Sequence, residues 1–302
     1  MLIPLALALT LLAPGPAKTQ AARASAPGQR LDVEAALRER GVEVEFTGNQ
    51  VFTRRDLLGL LAEDGSAADW FVEGSAAEKS PGGDENSALL EAGLSRLASL
   101  LRARGHLRAT VGLKPRVEAT AAGRKLSIAV NEGPLYRVGK VEFRGSKVIS
   151  PERLAEMFPL KAGDVADAEI IYDFLFEKVK KLYGDKGHIQ YEADPEPTYR
   201  AEAGAREGVV DFLITLSEGE RFVVRSVEFE GNAKTPDGQL RPLLLMREGE
   251  TYRQTRLDES LKKLEATGLF ESIDGDRDVD YQVNGERAEV RLRIKLKEKS
   301  TP

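Results

Sequence analysis

Three short stretches of the chain alternate apolar and polar residues and then break at glycine. They are Val44-Glu45-Phe46-Thr47-Gly48-Asn49, Val141-Glu142-Phe143-Arg144-Gly145-Ser146 and Val227-Glu228-Phe229-Glu230-Gly231-Asn232. A period of two places Val141 and Phe143 on one face of a strand, with Glu142 and Arg144 on the other. Glycine tolerates the turn that follows. The three stretches start 97 and 86 residues apart. That is longer than a solenoid unit and long enough for a small domain with its own core.

Helix-start chemistry follows each strand. Thr53-Arg54-Arg55-Asp56 reads as a capping box, and Ser150-Pro151-Glu152-Arg153 as an N-cap with proline at the first helical position. Thr235-Pro236-Asp237 is expected to act in the same way in the third repeat. Leu154, Met157 and Phe158 recur at helical spacing, which sends one face of that helix to a core. A glycine-containing turn then leads to a second helix, predicted over about Ser87 to Arg104, Ala168 to Tyr183 and Gln254 to Thr267. Gly105, Gly187 and Gly268 end these helices as left-handed caps. Two strands close the unit, His188 to Ala193 and Val209 to Leu216 in the second repeat; in the third, Ala288 to Leu296 alternates strictly.

The resulting order is β-α-α-β-β, an α+β fold in which two helices cover one face of a three-stranded mixed sheet. The boundaries read as 31–135, 136–220 and 221–300, after a leader over 1–30. The first repeat diverges. Its residues 63–86, rich in Gly, Ala, Ser, Asp and Glu, are expected to form an exposed insertion of low order. Trp70 and Phe71 lie inside it, either covering the core of the repeat or meeting a partner.

The V-x-F-x-G-N line and the helix pair closing on glycine resemble the polypeptide-transport-associated (POTRA) domains of the BamA, Omp85 and TpsB outer-membrane assembly proteins. So do the junctions Asn131-Glu132-Gly133-Pro134-Leu135-Tyr136-Arg137-Val138 and Ser217-Glu218-Gly219-Glu220-Arg221-Phe222-Val223-Val224, and the step Gly268-Leu269-Phe270-Glu271-Ser272-Ile273. The resemblance covers roughly Val42 to Lys299 and is weakest in the first repeat. It implies three tandem POTRA-like domains acting as a non-enzymatic periplasmic scaffold at the outer membrane. The implied partners are unfolded or nascent outer-membrane proteins and proteins of the assembly machinery. In BamA-like proteins a barrel follows the last such domain, and the resemblance places its expected start just after Lys299. Two alternatives stand beside the scaffold. One is the periplasmic portion of an Omp85-type barrel insertase whose barrel is not in this chain. The other is an envelope or division scaffold of the FtsQ type.

Strand addition is the mechanism such a sheet offers. An edge strand presents unpaired N–H and C=O groups, and an extended peptide pairs with them with little sequence specificity. The resemblance places the open edge at the second strand of each unit: Leu107 to Leu113, His188 to Ala193 and about Ser272 to Tyr281. Asp274, Asp276 and Asp278 are expected to guard the third edge. That leaves Ile189, Gln190, Tyr191 and Glu192 as the preferred partner-binding site, with Trp70 as a further contact.

Composition narrows the function classes. A net charge of −5, a pI near 5.5 and 6% aromatic residues give neither the basic stripe nor the stacking platforms of a nucleic-acid binder. The chain has no cysteine, which removes disulfides, thiolate catalysis, cysteine zinc sites and lipoprotein acylation. The apolar run Leu2 to Ala13 is too short to span a bilayer and fits the core of a secretory signal, with Ala22-Arg23-Ala24 as a cleavage motif. No basic residue precedes that run.

Candidate chemistry reads as structural. His106 and His188 each follow a helix-ending glycine, a repeated position rather than a metal pair. Glu132 and Glu218 recur before glycine and read as parts of an inter-domain turn rather than a hydrolytic pair. Asp274-Gly275-Asp276-Arg277-Asp278 lacks the spacing of a calcium loop and reads as a solvated turn. The helix from Ile170 to Val179 is apolar on more than one face, which suits a core and an inter-domain contact. No catalytic, cofactor-binding or metal residue emerges.

Overall fold

The computed structural model describes residues 32–76, 84–113, 115–121, 123–202 and 204–299. The expected leader over 1–30 and residues 77–83 of the expected insertion lie outside this range.

The first repeat opens with a helix beyond the β-α-α-β-β pattern. Asp32 caps α1 (Val33–Glu39) by accepting from the Ala35 N–H at 3.0 Å. Strand β1 (Val42–Thr47) buries Val42, Val44 and Phe46 and exposes the glutamates between them. The capping box forms as the sequence predicts. The Asp56 N–H donates to Thr53 Oγ1 at 3.3 Å and the Thr53 N–H to Asp56 Oδ2 at 2.8 Å, starting α2 (Arg54–Glu63). Helices α3 (Gly65–Ala76) and α4 (Asp84–Arg102) follow, then β2 (Thr110–Val111), β3 (Arg116–Thr120) and β4 (Gly123–Asn131). Strand β4 is central. It pairs parallel with β1 on one side and antiparallel with β2 and then β3 on the other. The second strand of this repeat is therefore split in two.

The second repeat runs β5 (Leu135–Arg144), α5 (Pro151–Met157), then a helical stretch of α6 (Ala168–Tyr172), seven π-wound residues Asp173–Val179 and α7 (Lys180–Gly184). Strands β6 (Glu192–Arg200) and β7 (Glu207–Ser217) complete it, in the order β5-β7-β6. The third repeat comprises β8 (Val223–Glu230), α8 (Asp237–Leu240) with a 3-10 turn Arg241–Leu243, α9 (Gln254–Ala266), β9 (Val279–Asn284) and β10 (Glu289–Lys295). Its sheet has the order β8-β10-β9, parallel then antiparallel. Along β10, Val290, Leu292 and Ile294 are fully buried while Arg291 and Lys295 are exposed, so the alternation read from the sequence is the wet and dry face of this sheet. Contact density divides the chain into two compact units, residues up to 141 with 158–173 and 196–213, and 142–157 with 174–195 and 214 onward.

Three expectations need correction. Part of the residue 63–86 insertion is not a low-order loop. Residues of α3 pack Ala67, Ala68, Phe71 and Val72 into the core of the first repeat at 2% exposure or less. Two glycines permit the close approach of α3 and α4. A Cβ on Gly74 would lie 2.3 Å from the Leu90 nitrogen, and one on Gly93 2.9 Å from the Phe71 nitrogen. Small residues there made the stretch look like a linker, whereas they are the packing surface. Thr235 does not cap its helix: α8 begins one residue later, Pro236 is its N-cap, and no side chain caps it. The edge strands also begin later than the sequence pattern suggests, at Thr110, Glu192 and Val279.

One feature recurs in all three repeats. The loop after the first strand begins at Gly48, Gly145 or Gly231, with φ of +84°, +77° and +91°. A Cβ at these positions would lie 2.9, 2.3 and 2.1 Å from the carbonyl oxygens of Val130, Leu216 and Leu296. Only glycine fits both the angle and the gap. A glutamate at the end of the last strand then holds the loop. Glu132 accepts the N–H groups of Gln50, Val51 and Phe52; Glu218 those of Lys147 and Val148 at 2.7 and 2.8 Å; Glu298 those of Lys234 and Thr235. These carboxylates anchor a loop of their own repeat, a role beyond the turn residues expected of Glu132 and Glu218.

Candidate partner-binding edges

In every sheet the last strand is central and the second strand lies at one end. The three second-strand edges differ in what they present.

The middle edge is β6, Glu192–Arg200. Of the residues expected to dock a partner, only Glu192 lies on it. Ile189 and Gln190 sit in the turn after the helix, and Ile189 packs against the core of the third repeat. Tyr191 is 7% exposed and stacks on Tyr183 at 4.8 Å between ring centroids, with its hydroxyl unpartnered. Burial pushes its pKa up. The Gly-His-Ile-Gln-Tyr segment thus crosses the end of the helix as a turn before the strand starts. Trp70 is half-buried on α3.

Strand β6 also contains Pro195 and Pro197. Proline has no N–H for a ladder, so inside a strand it belongs at an edge with its nitrogen toward the open side. Two prolines at alternate positions remove two neighbouring donors from the side an incoming strand would use. They also stiffen that edge against pairing.

The third edge is β9, Val279–Asn284. It contains no proline. Asp274, Asp276 and Asp278 precede it rather than guard it. The Asp274 carboxylate accepts the N–H groups of Asp276 and Arg277 at 2.9 and 3.0 Å, closing a turn, and Asp278 pairs with Arg277 at 2.6 Å. Within β9, Tyr281 and Val283 face the same way as the buried Leu292 and Val290 they pair with, yet they are 38% and 40% exposed. The wet face carries Asp280, held by Lys295 at 2.9 Å. This edge therefore offers a free ladder beside an apolar strip. The first edge is split: Leu107 lies in the turn after α4, Thr110–Val111 form a short strand, and β3 is exposed throughout, with Val117 at 57%.

Pro195-x-Pro197 is itself a sequence signal of an edge strand and lies beyond the expected His188 to Ala193 segment, whereas the strand-and-turn run Val279-Asp280-Tyr281-Gln282-Val283 before Gly285 overlaps the end of the expected Ser272 to Tyr281 edge. Among the described residues, no group of three His, Asp or Glu could hold a metal ion. His106 and His188 play matching roles, each with Nδ1 at 3.1 or 3.2 Å from a glycine carbonyl, Gly133 or Gly219. No described helix is long and apolar enough to cross a membrane.

Comparison with known proteins agrees with this architecture. A family model described as POTRA, "surface antigen variable number repeat", matches residues 136–219 and 222–299, together more than half of the chain. The outer membrane protein assembly factor BamA of Nitratidesulfovibrio vulgaris is 27% identical over 216 residues, 70% of this chain and 26% of that protein. BamA of Neisseria meningitidis serogroup B is 24% identical over 280 residues, 90% of this chain and 33% of that protein. The chain thus spans about a quarter to a third of the length of these curated relatives. The crystal structure of Haemophilus influenzae BamA POTRA3-5 superposes with a TM-score of 0.63 at 20% identity, covering 85% of this chain and 95% of that one. The α+β repeats, their sheet order and the family match lead to one conclusion: the chain belongs to the POTRA family.

Proposed function

We propose that the chain is a periplasmic scaffold for outer-membrane protein assembly, working by binding rather than catalysis. The relatives named as outer membrane protein assembly factors support the process, and the POTRA architecture supports the scaffold role. In this reading the clients are unfolded or nascent outer-membrane proteins, with proteins of the assembly machinery as further partners. They dock as extended segments added to an open sheet edge.

One observation carries the binding mode: β9 is an uncovered edge without proline, flanked by the exposed Tyr281 and Val283. A docked strand whose alternate residues are apolar would cover both while its backbone completes the ladder. Strands of a membrane barrel have that alternation. A second reading is favoured by the partial alignment to the longer relatives: the same repeats acting as the periplasmic portion of a barrel insertase.

The test is in-cell photo-crosslinking from position 283, with position 198 on the proline-bearing edge as the comparison. Capture of barrel precursors from 283 and not from 198 is the expected result. Capture from 198 alone would refute the edge assignment. Capture from neither, by a folded and exported protein, would refute strand addition at these two edges. Replacing Pro195 and Pro197 with threonine should open β6 and add capture from 198.

A further inference from the structure

The second helices of the last two repeats start in different ways. Helix α6 is capped from its own chain segment: Asp167 Oδ1 accepts from the N–H groups of Glu169 and Ile170 at 2.8 and 3.1 Å. Its counterpart α9 is not. The N-cap residue is Arg253, in the extended conformation an N-cap requires but with no side-chain bond to the helix. The four leading N–H groups of a helix need acceptors, and arginine carries only donors.

The missing acceptor comes from the preceding repeat. Asp185, one residue past α7, accepts from the Thr255 N–H at 2.7 Å through Oδ1 and from the Thr255 hydroxyl at 2.6 Å through Oδ2. Thr255 is the second residue of α9, where an N-cap side chain normally bonds. The carboxylate also sits at the positive end of the helix dipole. Two further contacts clamp the same turn. Lys181 Nζ reaches Asp258 Oδ2 at 2.6 Å, and Gln254 Nε2 donates to Asp258 Oδ1 at 2.8 Å. Gly184 faces Gln254 so closely that a Cβ there would lie 3.1 Å from the Gln254 Cβ.

We propose that Asp185 is the N-cap of α9 supplied in trans, so that the helix end of the second repeat and the whole third repeat open and close as one cooperative block. The third repeat on its own lacks the acceptor its main helix needs. The platform carrying β9 is therefore complete only when the second repeat is seated beneath α9. This is independent of what β9 binds.

The experiment uses the full chain and amide hydrogen exchange read by residue. Asp185→Ala should speed exchange at Thr255 and its neighbours by about tenfold, the fold-change of one lost cap. It should also separate one shared opening of residues 180–187 and 254–266 into two. The decisive arm is Asp185→Ala with Arg253→Asp, which places a cap in cis. Protection of α9 should return while the two segments still open separately. Unchanged exchange at Thr255 in Asp185→Ala would overturn the proposal. So would a double variant that restores both protection and shared opening, because the linkage would then lie elsewhere. Asp167→Ala serves as the comparison and should loosen α6 without touching α9.

Discussion

Truncating Glu218 isolates the loop anchor that recurs in each repeat. The carboxylate accepts three bonds, from Lys147 N at 2.7 Å, Val148 N at 2.8 Å and Tyr183 Oη at 2.8 Å. The three donors differ in what they lose. Lys147 is exposed and re-solvates at little cost, and Val148 is half-buried. Tyr183 is fully buried, and its hydroxyl, which also bonds the Ile149 backbone, would lose the acceptor for its proton. An unmet buried donor costs about 1–3 kcal/mol, and a bond to a charged acceptor contributes about 1.5–3. With the two backbone donors discounted for water access, Glu218→Ala should cost about 3 kcal/mol and Glu218→Gln, which keeps an acceptor but loses the charge, about 1. Urea unfolding followed by circular dichroism measures this, provided the slope stays constant so that the midpoint reports stability. Amide exchange at Val148 should rise in parallel. An unchanged midpoint for Glu218→Ala at an unchanged slope would refute the anchor.

The same group predicts a pH dependence. Burial raises its pKa, but the Val148 and Lys147 N–H groups and the Tyr183 hydroxyl outweigh burial and hold it below the usual glutamate value. A carboxyl lowered on folding adds stability that is fully present above its unfolded pKa, near about 4.3, and is lost as pH falls through the lower folded value. The parent should therefore keep this contribution from neutrality to about pH 5 and lose it on further acidification. Glu218→Gln should lack that acid-dependent part.

Ser146 occupies the place where Asn49 and Asn232 bridge their loops to Phe52 O and Thr235 O at 2.7 and 2.8 Å, and its own hydroxyl is buried without a partner. Ser146→Asn should stabilise the chain by about 1 kcal/mol in the same urea assay. Gly231→Ala combines a φ of +91° with a Cβ 2.1 Å from Leu296 O, and should cost more than about 2 kcal/mol, whereas Gly268→Ala, at +73° with open space around it, should cost about 1. Phe71→Ala empties a fully buried site and should cost about 3–5 kcal/mol, followed by the fluorescence of Trp70, the single tryptophan.

The elements with strict periodicity were legible from sequence. The capping box at Thr53, the alternation of β10 and the glycines closing each second helix all sit where the pattern placed them. Features set by contacts between distant segments were not. The α3 helix lacks a strong apolar stripe because its fit depends on Gly74 and Gly93 meeting α4, and glycine reads as a breaker in a single sequence. The middle edge strand starts later than its pattern suggests because burial at the helix end claims the apolar Ile189 and Tyr191. Asp185 carries no local sign of its partner, since Thr255 lies 70 residues away.

Each joint between repeats carries one main-chain bond at the same place, beside its side-chain contacts. The Tyr136 and Phe222 N–H groups donate across the joints to the Gly105 and Gly187 carbonyls at 2.8 and 2.9 Å, and within their own repeats the Tyr136 and Phe222 carbonyls accept from Ala166 and Tyr252 at 2.9 and 3.0 Å. Inside the same repeats Val138 and Val224 accept from Gly163 and Gly249, both at 2.8 Å. Atoms common to every amino acid make this one bond, so it tolerates drift of the side chains around it. A gene duplication with breakpoints near such a joint would recreate that bond at once, without waiting for compensating substitutions. The number of repeats can then change faster than their sequences, and lengthening or shortening the array is an easy route by which such proteins alter their reach.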